Sequence, residues 1–409
     1  MLLIRLLRKL IHTGSLTLID AKGRKHVICD EGDPRITVRI HDAATQWKLA
    51  LNPALYVGEA YMDGRLTVEE GSIYDFLDVA TRQLWLPGNE SVVTALVTLR
   101  NLVRALQQIN PVKRAKANVA HHYDLSDTLY DLFLDSDRQY SCAYFDRPNT
   151  SLEDAQEAKK RHIAAKLLLN RPNLTVLDIG CGWGGLALFL AAETGAKVTG
   201  ITLSEEQLKV ARARAERAGL SDRVSFHLRD YRDEDKRYDR VVSVGMFEHV
   251  GVPHYPVFFR KVHELLADDG VALLHSIGRA DGPGSTNPWV RKYIFPGGYC
   301  PALSEVLPAA EKQLLYVTDI EILRLHYAKT LREWRHRFME NRDKVKALYD
   351  ERFCRMWEFY LSGAEVAFRN EFQMVFQMQM TKDQEAVPLT RDYITDWERA
   401  RNRKSAAAE

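Results

Sequence analysis

The sequence predicts an α/β protein: a mostly parallel sheet covered by helices on both faces, preceded by a smaller α+β N-terminal domain. Three observations carry this. The chain has 409 residues, too many for one ordinary core, so two domains are expected. From about residue 160 short apolar runs alternate with helical patterns, as in a parallel sheet between helix layers. Before about residue 110 short strands separated by turns lead instead into a helix. Hydrophobic residues make up 46% and charged residues 27%, the balance of a packed globular protein. A net charge of +2 gives no global field for nucleic acid, so any charged partner must be met by a local patch.

The N-terminal run Met1–Ile11 is apolar, but Arg5, Arg8 and Lys9 break up a signal-peptide core. It reads as a helix packed on its own domain, with a membrane-surface helix as the alternative. Leu16–Ile19, His26–Cys29 and Ile36–His41 read as strands. Ser72 opens a helix with Ile73, Phe76, Leu77 and Ala80 on one face. The basic stretch Arg100, Arg104, Lys113, Arg114 and Lys116, broken by Pro111, places the boundary. It gives a lipid-associated domain and linker at 1–110 and a catalytic domain at 111–409. A solvated linker is favoured there over an anionic-lipid patch.

In the second part, strands are expected at Thr175–Ile179, Lys197–Leu203, Val224–Leu228, Asp239–Val244 and Val271–Ile277. A helix opens at Ser204 with Gln207 in a capping-box position, buries Leu208, Ala211, Ala215 and Ala218, and stops at Gly219. Phe258, Val262, Leu265 and Leu266 mark another helix. Residues 278–307 are rich in Gly and Pro and carry Trp289, Tyr293, Phe295 and Tyr299, which reads as a lid or substrate wall. Leu331, Trp334 and Phe338 fit one helix, and Phe353, Trp357, Tyr360 and Ala364 another. Phe372, Met374, Phe376, Met378 and Met380 alternate with Gln373, Val375, Gln377 and Gln379, the pattern of a half-buried strand with Met as core filler. Ser405–Glu409 reads as an unstructured tail.

Five cysteines, Cys29, Cys142, Cys181, Cys300 and Cys354, form no CxxC pair. A disulfide framework or zinc site is not expected, and a reducing cytosol is the simplest home. No run reaches the ~20 apolar residues that span a bilayer. Glu248 and His249 near His254 lack metal-ligand spacing, so no metal is expected.

The strongest local signal is Val176-Leu-Asp-Ile-Gly-Cys-Gly-Trp-Gly184, a strand that runs into a glycine turn and then a helix. Glycine lets the backbone approach a ligand closely. A dinucleotide would want an acid at the end of the next strand, but Gly200-Ile-Thr-Leu-Ser204 has none. A tight turn preceded by Asp178 suits a small zwitterionic ligand better than a pyrophosphate. Ser204 and Gln207 could do no more than cap a helix, although capping and ligand contact are compatible.

Asp178–Gly184 resembles the first motif of class I S-adenosylmethionine methyltransferases, which implies a Rossmann-like class I methyltransferase sheet. The resemblance puts Asp178, Gly180 and Gly182 against the methionine part of the cofactor, Thr202, Leu203 and Gln207 at the ribose, and Asp230 and Tyr231 at the adenine. Further stretches resemble the cyclopropane fatty acid and mycolic acid cyclopropane synthases. These are His121–Ser126, Gln139-Tyr-Ser-Cys-Ala-Tyr-Phe145, Ser243–Gly251, His275–Gly278, Lys292–Gly297, His326–Leu331 and Met356–Leu361. Tyr140 and Ser141 join the cofactor set on this resemblance. The first hundred residues resemble the extra domain of the phospholipid-acting enzymes.

The resemblance implies methyl transfer to the cis double bond of an unsaturated phospholipid chain, followed by ring closure. Closure needs a proton removed from the added methyl while water is kept out. By resemblance the base is a bicarbonate ion held by Cys142, Glu248, His275, Tyr327 and the backbone of Ile277, with Tyr299 or Phe145 as faces for a cation. Read singly, Cys142 would be an inert core thiol and His275 a satisfied core histidine. The expected setting is cytoplasmic, peripheral at the inner face of the membrane, with no nucleic acid; a homodimer is admitted. The alternatives are a methyl-branched or hydroxylated product, a small-amine N-methyltransferase, and a non-catalytic lipid-binding protein on the same fold.

Overall fold

The computed structural model describes residues 2–83 and 126–406, with side chains described to residue 401. The basic stretch at 100–116, the boundary near 110 and residues 121–125 of the His121–Ser126 motif lie outside the described residues. Along the chain come α1 (Leu2–Leu10), β1 (Gly14–Ile19), β2 (Lys25–Glu31), β3 (Arg35–Ile40), α2 (Ala43–Leu51), α3 (Pro53–Met62), β4 (Leu66–Glu70) and α4 (Ile73–Arg82). Then follow α5 (Asp127–Asp131), α6 (Leu152–Lys166), β5 (Thr175–Ile179), α7 (Gly185–Thr194), β6 (Lys197–Thr202), α8 (Glu205–Arg217), β7 (Val224–Leu228) and β8 (Tyr238–Val244). The rest are α9 (Tyr255–Leu265), β9 (Leu266–Arg279), α10 (Pro288–Tyr293), α11 (Leu303–Glu311), β10 (Tyr316–Ile322), α12 (His326–Glu340), α13 (Arg342–Leu348), α14 (Glu351–Asn370), β11 (Gln373–Thr381) and α15 (Asp392–Ala406).

Two compact units are composite rather than consecutive. Among the described residues, one contains 2–83, 284–296 and 327–373, and the other 126–283, 297–326 and 374–406. Residues 284–296 and 327–373, which the sequence reading gave to the catalytic part, therefore pack with the N-terminal segment. The 278–307 excursion is split between the units.

The first unit holds a sheet of order β2-β1-β3-β4. Leu16, Leu18, Ile36, Val38 and Ile40 point from it into a core shared with Ile73, Phe76 and Val79 of α4. Leu3 and Ile4 of α1 join that core, so α1 packs on its own unit. Ser72 caps α4 through a box completed by Asp75. Trp289 of α10 is buried with Nε1 3.2 Å from the Met62 sulfur.

The second unit holds a seven-stranded sheet of order β10-β11-β9-β8-β5-β6-β7. The pairs β8–β9, β5–β8, β5–β6 and β6–β7 are parallel, while β10 and β11 pair antiparallel. Alternate residues feed two cores, Val176 and Val198 on one face and Leu177 and Ile179 on the other. The sheet and its two helix layers are those the alternation predicted. Three local readings are corrected. Strand β11 is buried along nearly its whole length, because both faces are covered: Met374, Phe376, Met378 and Met380 enter a core on one side, and Lys166 of α6 and Tyr393 of α15 meet Gln379 on the other. Its glutamine nitrogens find internal partners: Gln377 donates to His275 Nδ1 at 3.1 Å, and Gln379 to the Lys166 carbonyl at 2.5 Å and Tyr393 at 2.8 Å, while the Gln377 oxygen is buried without a hydrogen bond. The capping box at Ser204 is half formed, since Gln207 Oε1 accepts from the Thr202 hydroxyl at 3.0 Å instead of reaching the Ser204 amide. Ser405 and Ala406 belong to α15 rather than to a tail.

Helix α6 is one element that apolar periodicity did not announce, because much of its buried face is polar: Gln156, Lys159, Lys160, His162 and Lys166. His162 spans Glu398 of α15 at 2.7 Å and Glu321 of β10 at 2.6 Å, and stacks on Tyr144. Burial pulls its pKa down, but hydrogen bonds to both carboxylates outweigh that and raise it above the ordinary 6.5. A raised imidazole pKa stabilises the fold below the unfolded value, and the gain is lost as pH rises through the folded value. Thermal melts are therefore expected to show Tm falling above neutral pH, with His162→Gln flattening that limb. A limb of the same slope in both proteins would locate it elsewhere.

Candidate active site

Within the second unit, β5, β6, β7 and β8 end around one cavity of about 160 Å³, outside the carboxyl ends of the strands where open α/β sheets hold ligands. The turn after β5 is fixed by the amides of Gly180 and Cys181, which both donate to the Ile201 carbonyl at 2.9 and 3.0 Å. Gly180 has φ +84°, the left-handed region that a side chain disfavours. Gly185 opens α7 where a Cβ would run into the Gln139 amide and the Asp137 carboxylate.

All ten residues expected at a cofactor line this cavity: Tyr140, Ser141, Asp178, Gly180, Gly182, Thr202, Leu203, Gln207, Asp230 and Tyr231. Burial pushes the Asp178 carboxyl up to about 7, against the charge of Lys159, and its Oδ2 is buried without a hydrogen bond. Gln207 accepts from Thr202, so it has its N–H groups left for a ligand. Asp230 receives Arg232 through the backbone amide, Nε and Nη2 at 3.0, 2.8 and 2.7 Å, so a ligand there shares the carboxylate with Arg232. Tyr140 packs edge-on to Tyr130 at 5.5 Å, and Trp183 lies 5.0 Å from the same ring.

None of the five residues expected at the chemical step lines the cavity; four belong to the unit that holds it. Cys142 follows Ser141 and is buried, with its thiol 3.3 Å from the Ala143 carbonyl. Glu248 sits between the lining residues Met246 and His249. The Ile277 amide donates to Glu248 Oε1 at 2.6 Å, while Oε2 is buried without a hydrogen bond. That amide, expected to face an anion, is thus engaged with Glu248. Burial pushes the Glu248 carboxyl up to about 7, against the Ile277 amide. His275 is buried at the end of the β8–β9 pairing, where its carbonyl accepts from the Gly245 amide at 3.0 Å. Burial, followed by the charge of Lys159, lowers His275 to about 3, so the ring is neutral. Tyr327 belongs to the other unit, where its ring packs on Phe368 at 4.8 Å and Trp334 at 5.8 Å.

Of the aromatic candidates, the Tyr299 amide donates to the Glu248 carbonyl at 2.9 Å and its hydroxyl to Glu305 at 2.6 Å. The Phe145 amide donates to His326 Nδ1 at 2.9 Å. The sequence reading missed Trp183, Met246 and His249 on the cavity wall. The first stands inside the glycine motif and the other two inside Ser243–Gly251, so the signal was present but read for other roles. Among the described residues no cysteine forms a disulfide, and no helix is long and apolar enough to cross a membrane.

Comparison with known proteins agrees with this geometry. Residues 111–378 match the family model of mycolic acid cyclopropane synthetase. A cyclopropane-fatty-acyl-phospholipid synthase of Escherichia coli K12 is 38% identical over 331 residues, covering 80% of this chain and 83% of its own. A probable fatty acid methyltransferase of Pseudomonas putida is 36% identical over 357 residues, covering 85% and 88%. The crystal structure of the mycolic acid cyclopropane synthase CmaA1, complexed with SAH and CTAB, superposes with a TM-score of 0.62 at 34% identity, over 66% of this chain and 99% of that one. A glycine turn, a sheet and a cavity of this kind, with these likenesses along the chain, lead to one assignment: the chain belongs to the mycolic acid cyclopropane synthetase family of S-adenosylmethionine-dependent methyltransferases.

Proposed function

We propose that the protein methylates the cis double bond of an unsaturated phospholipid acyl chain and closes a cyclopropane ring there. The observation that carries this is Glu248: a buried carboxylate with one oxygen lacking a hydrogen bond, held by the Ile277 amide beside the cofactor cavity. Methyl transfer to an amine needs no such group, whereas ring closure must move a proton off the new methyl.

The cavity fits S-adenosylmethionine. Asp178, a buried carboxylate lacking a partner for Oδ2, suits the amino-acid ammonium, with Ser141 and the glycine turn at the same end. Thr202, Leu203 and Gln207 take the ribose, and Asp230 and Tyr231 the adenine. When bound, the sulfonium supplies an electrophilic methyl. A bicarbonate ion would supply the base, and the residues that fit it are Glu248, whose free oxygen can accept its proton, neutral His275 as a donor, and Cys142; Ile277 acts through Glu248. Tyr327 enters on the resemblance of His326–Leu331. Burial of Glu248, His275 and Cys142 keeps water from a cationic centre. The likeness of the first hundred residues to the phospholipid enzymes supports a phospholipid substrate, and exposed Trp47 and Leu51 on α2 support peripheral contact with a bilayer.

Incubation with vesicles of unsaturated phospholipid and S-adenosylmethionine is expected to add one CH2 per double bond by mass spectrometry. No mass gain on any unsaturated lipid would sink the proposal. The similarity to the probable fatty acid methyltransferase favours a second reading, a saturated methyl branch, in which the cation takes a hydride from a separate reductant; with a hydride donor added to the assay it would add CH4 and be separated by mass.

A further inference from the structure

A buried cation lies behind the cavity wall. Lys159 of α6 is 1% exposed, and its ammonium donates to Gln139 Oε1 at 2.6 Å and Ser141 Oγ at 2.8 Å. One turn earlier on α6, Gln156 donates to the carbonyls of Gln139 and Ser141 at 3.1 and 3.0 Å. The segment 139–141, which lines the cavity, is therefore pinned from behind by two side chains. Burying an ammonium is costly unless it is paired and hydrogen-bonded. Asp135, Asp137, Asp178 and Cys142 face it electrostatically, with Lys160 opposing.

The hydrogen-bond inventory gives this arrangement a direction. An ammonium has donors only, whereas a hydroxyl accepts through lone pairs and carries one proton. With its oxygen accepting from Lys159, the Ser141 hydroxyl must point its own proton elsewhere. No acceptor for that proton is found among the described residues. Gln139 is fixed likewise: its oxygen takes Lys159 and its nitrogen donates to Asp137 Oδ2 at 3.0 Å. The cavity end thus has a negative pole at Asp178 and a hydroxyl donor backed by a buried positive charge at Ser141. That is the complement of an amino acid's ammonium and carboxylate.

We propose that Lys159 is a positioning residue for the amino-acid end of the cofactor: by donating to Ser141 and Gln139, it turns the Ser141 hydroxyl toward the ligand's carboxylate and stabilises that charge from behind. This rests on the cofactor orientation proposed above. It separates recognition of the ligand's two ends, with Lys159 acting on the carboxylate and not on the nucleoside.

Calorimetric titration with two ligands tests it. S-adenosylhomocysteine carries the amino-acid end, and 5′-methylthioadenosine has the same nucleoside and a thioether without it. Lys159→Met is expected to weaken S-adenosylhomocysteine by about 10-fold or more and leave 5′-methylthioadenosine unchanged. Ser141→Ala is expected to lose the same ligand selectively, and the double variant to lose less than the sum of the two single losses, since part of the Lys159 effect passes through that hydroxyl; fully additive losses overturn the coupling. Equal loss for the two ligands, or none for either, overturns the proposal. Should Lys159→Met fail to fold, Lys159→Gln carries the same test, with a smaller selective loss because its amide still donates. Wild-type protein that binds neither ligand would overturn the cofactor reading itself, whereas wild-type binding with unselective variants overturns only the role of Lys159.

Discussion

Glu248→Gln is expected to lower kcat by about 10²-fold while S-adenosylhomocysteine binds as before. Glutamine keeps an oxygen for the Ile277 amide, so the loop that carries it is not released. What is lost is the negative charge and the ability to accept a proton at Oε2. The same substitution is expected to raise stability at alkaline pH. Burial lifts the Glu248 carboxyl from 4.5 to about 7, so the folded protein holds this proton more tightly than the unfolded chain. Stability therefore falls as pH rises from 4.5 towards 7, and the cost persists above that. Replacing the acid removes the cost: Tm of the variant should exceed wild type near pH ~8, by roughly 2–4 °C per kcal/mol, and the difference should close towards pH ~5. In wild type, kcat is expected to fall as pH drops through about 7, a limb the variant's residual activity lacks. A variant that loses turnover and cofactor affinity together would show that Glu248 holds the fold instead.

Gly180→Ala is expected to weaken S-adenosylhomocysteine by more than about 10-fold and to lower Tm. Two costs combine. At φ +84° a Cβ costs about 1–2 kcal/mol. That Cβ would also stand 2.8 Å from the Met246 Cβ, an atom no rotamer change can move, so the backbone must shift. Met246 lines the cavity, so the shift is transmitted to the ligand. Gly219→Ala separates the two costs. It sits at φ +66° with nothing within 4 Å of the added Cβ, and outside the cavity lining. It is expected to lower Tm without touching affinity. Comparable affinity losses in both variants would mean that the clash at Met246 is not what matters.

The alternation of strands and helices and the glycine turn were legible because each depends on near neighbours in sequence, a strand's period and a turn's need for glycine; the ten cavity residues were reached through the resemblance of their motifs to a known family. Helix α6 and strand β11 show where that stops. The buried face of α6 is largely polar, so apolar periodicity does not find it, and Lys159 there reads as a surface charge until it is seen behind the cavity wall, donating to Gln139 and Ser141. Gln377 and Gln379 alternate with methionines as on a half-exposed strand. They are buried because Lys166 of α6 and Tyr393 of α15 stand over that face and meet Gln379, while His275 of β9 meets the Gln377 nitrogen.

By itself, then, the sequence determined the sheet, the glycine turn and the kinds of side chain available for methyl transfer. Only the tertiary structure decided how they are used. It joined Glu248 to the Ile277 amide, put a lysine behind Ser141, and packed residues 284–296 and 327–373 with the N-terminal unit rather than with their sequence neighbours. The reason is that a buried polar group's partner is set by strand order and helix docking, which bring together residues dozens of positions apart. No local pattern encodes such a pair, yet the pair fixes which proton donors and charges remain for a ligand.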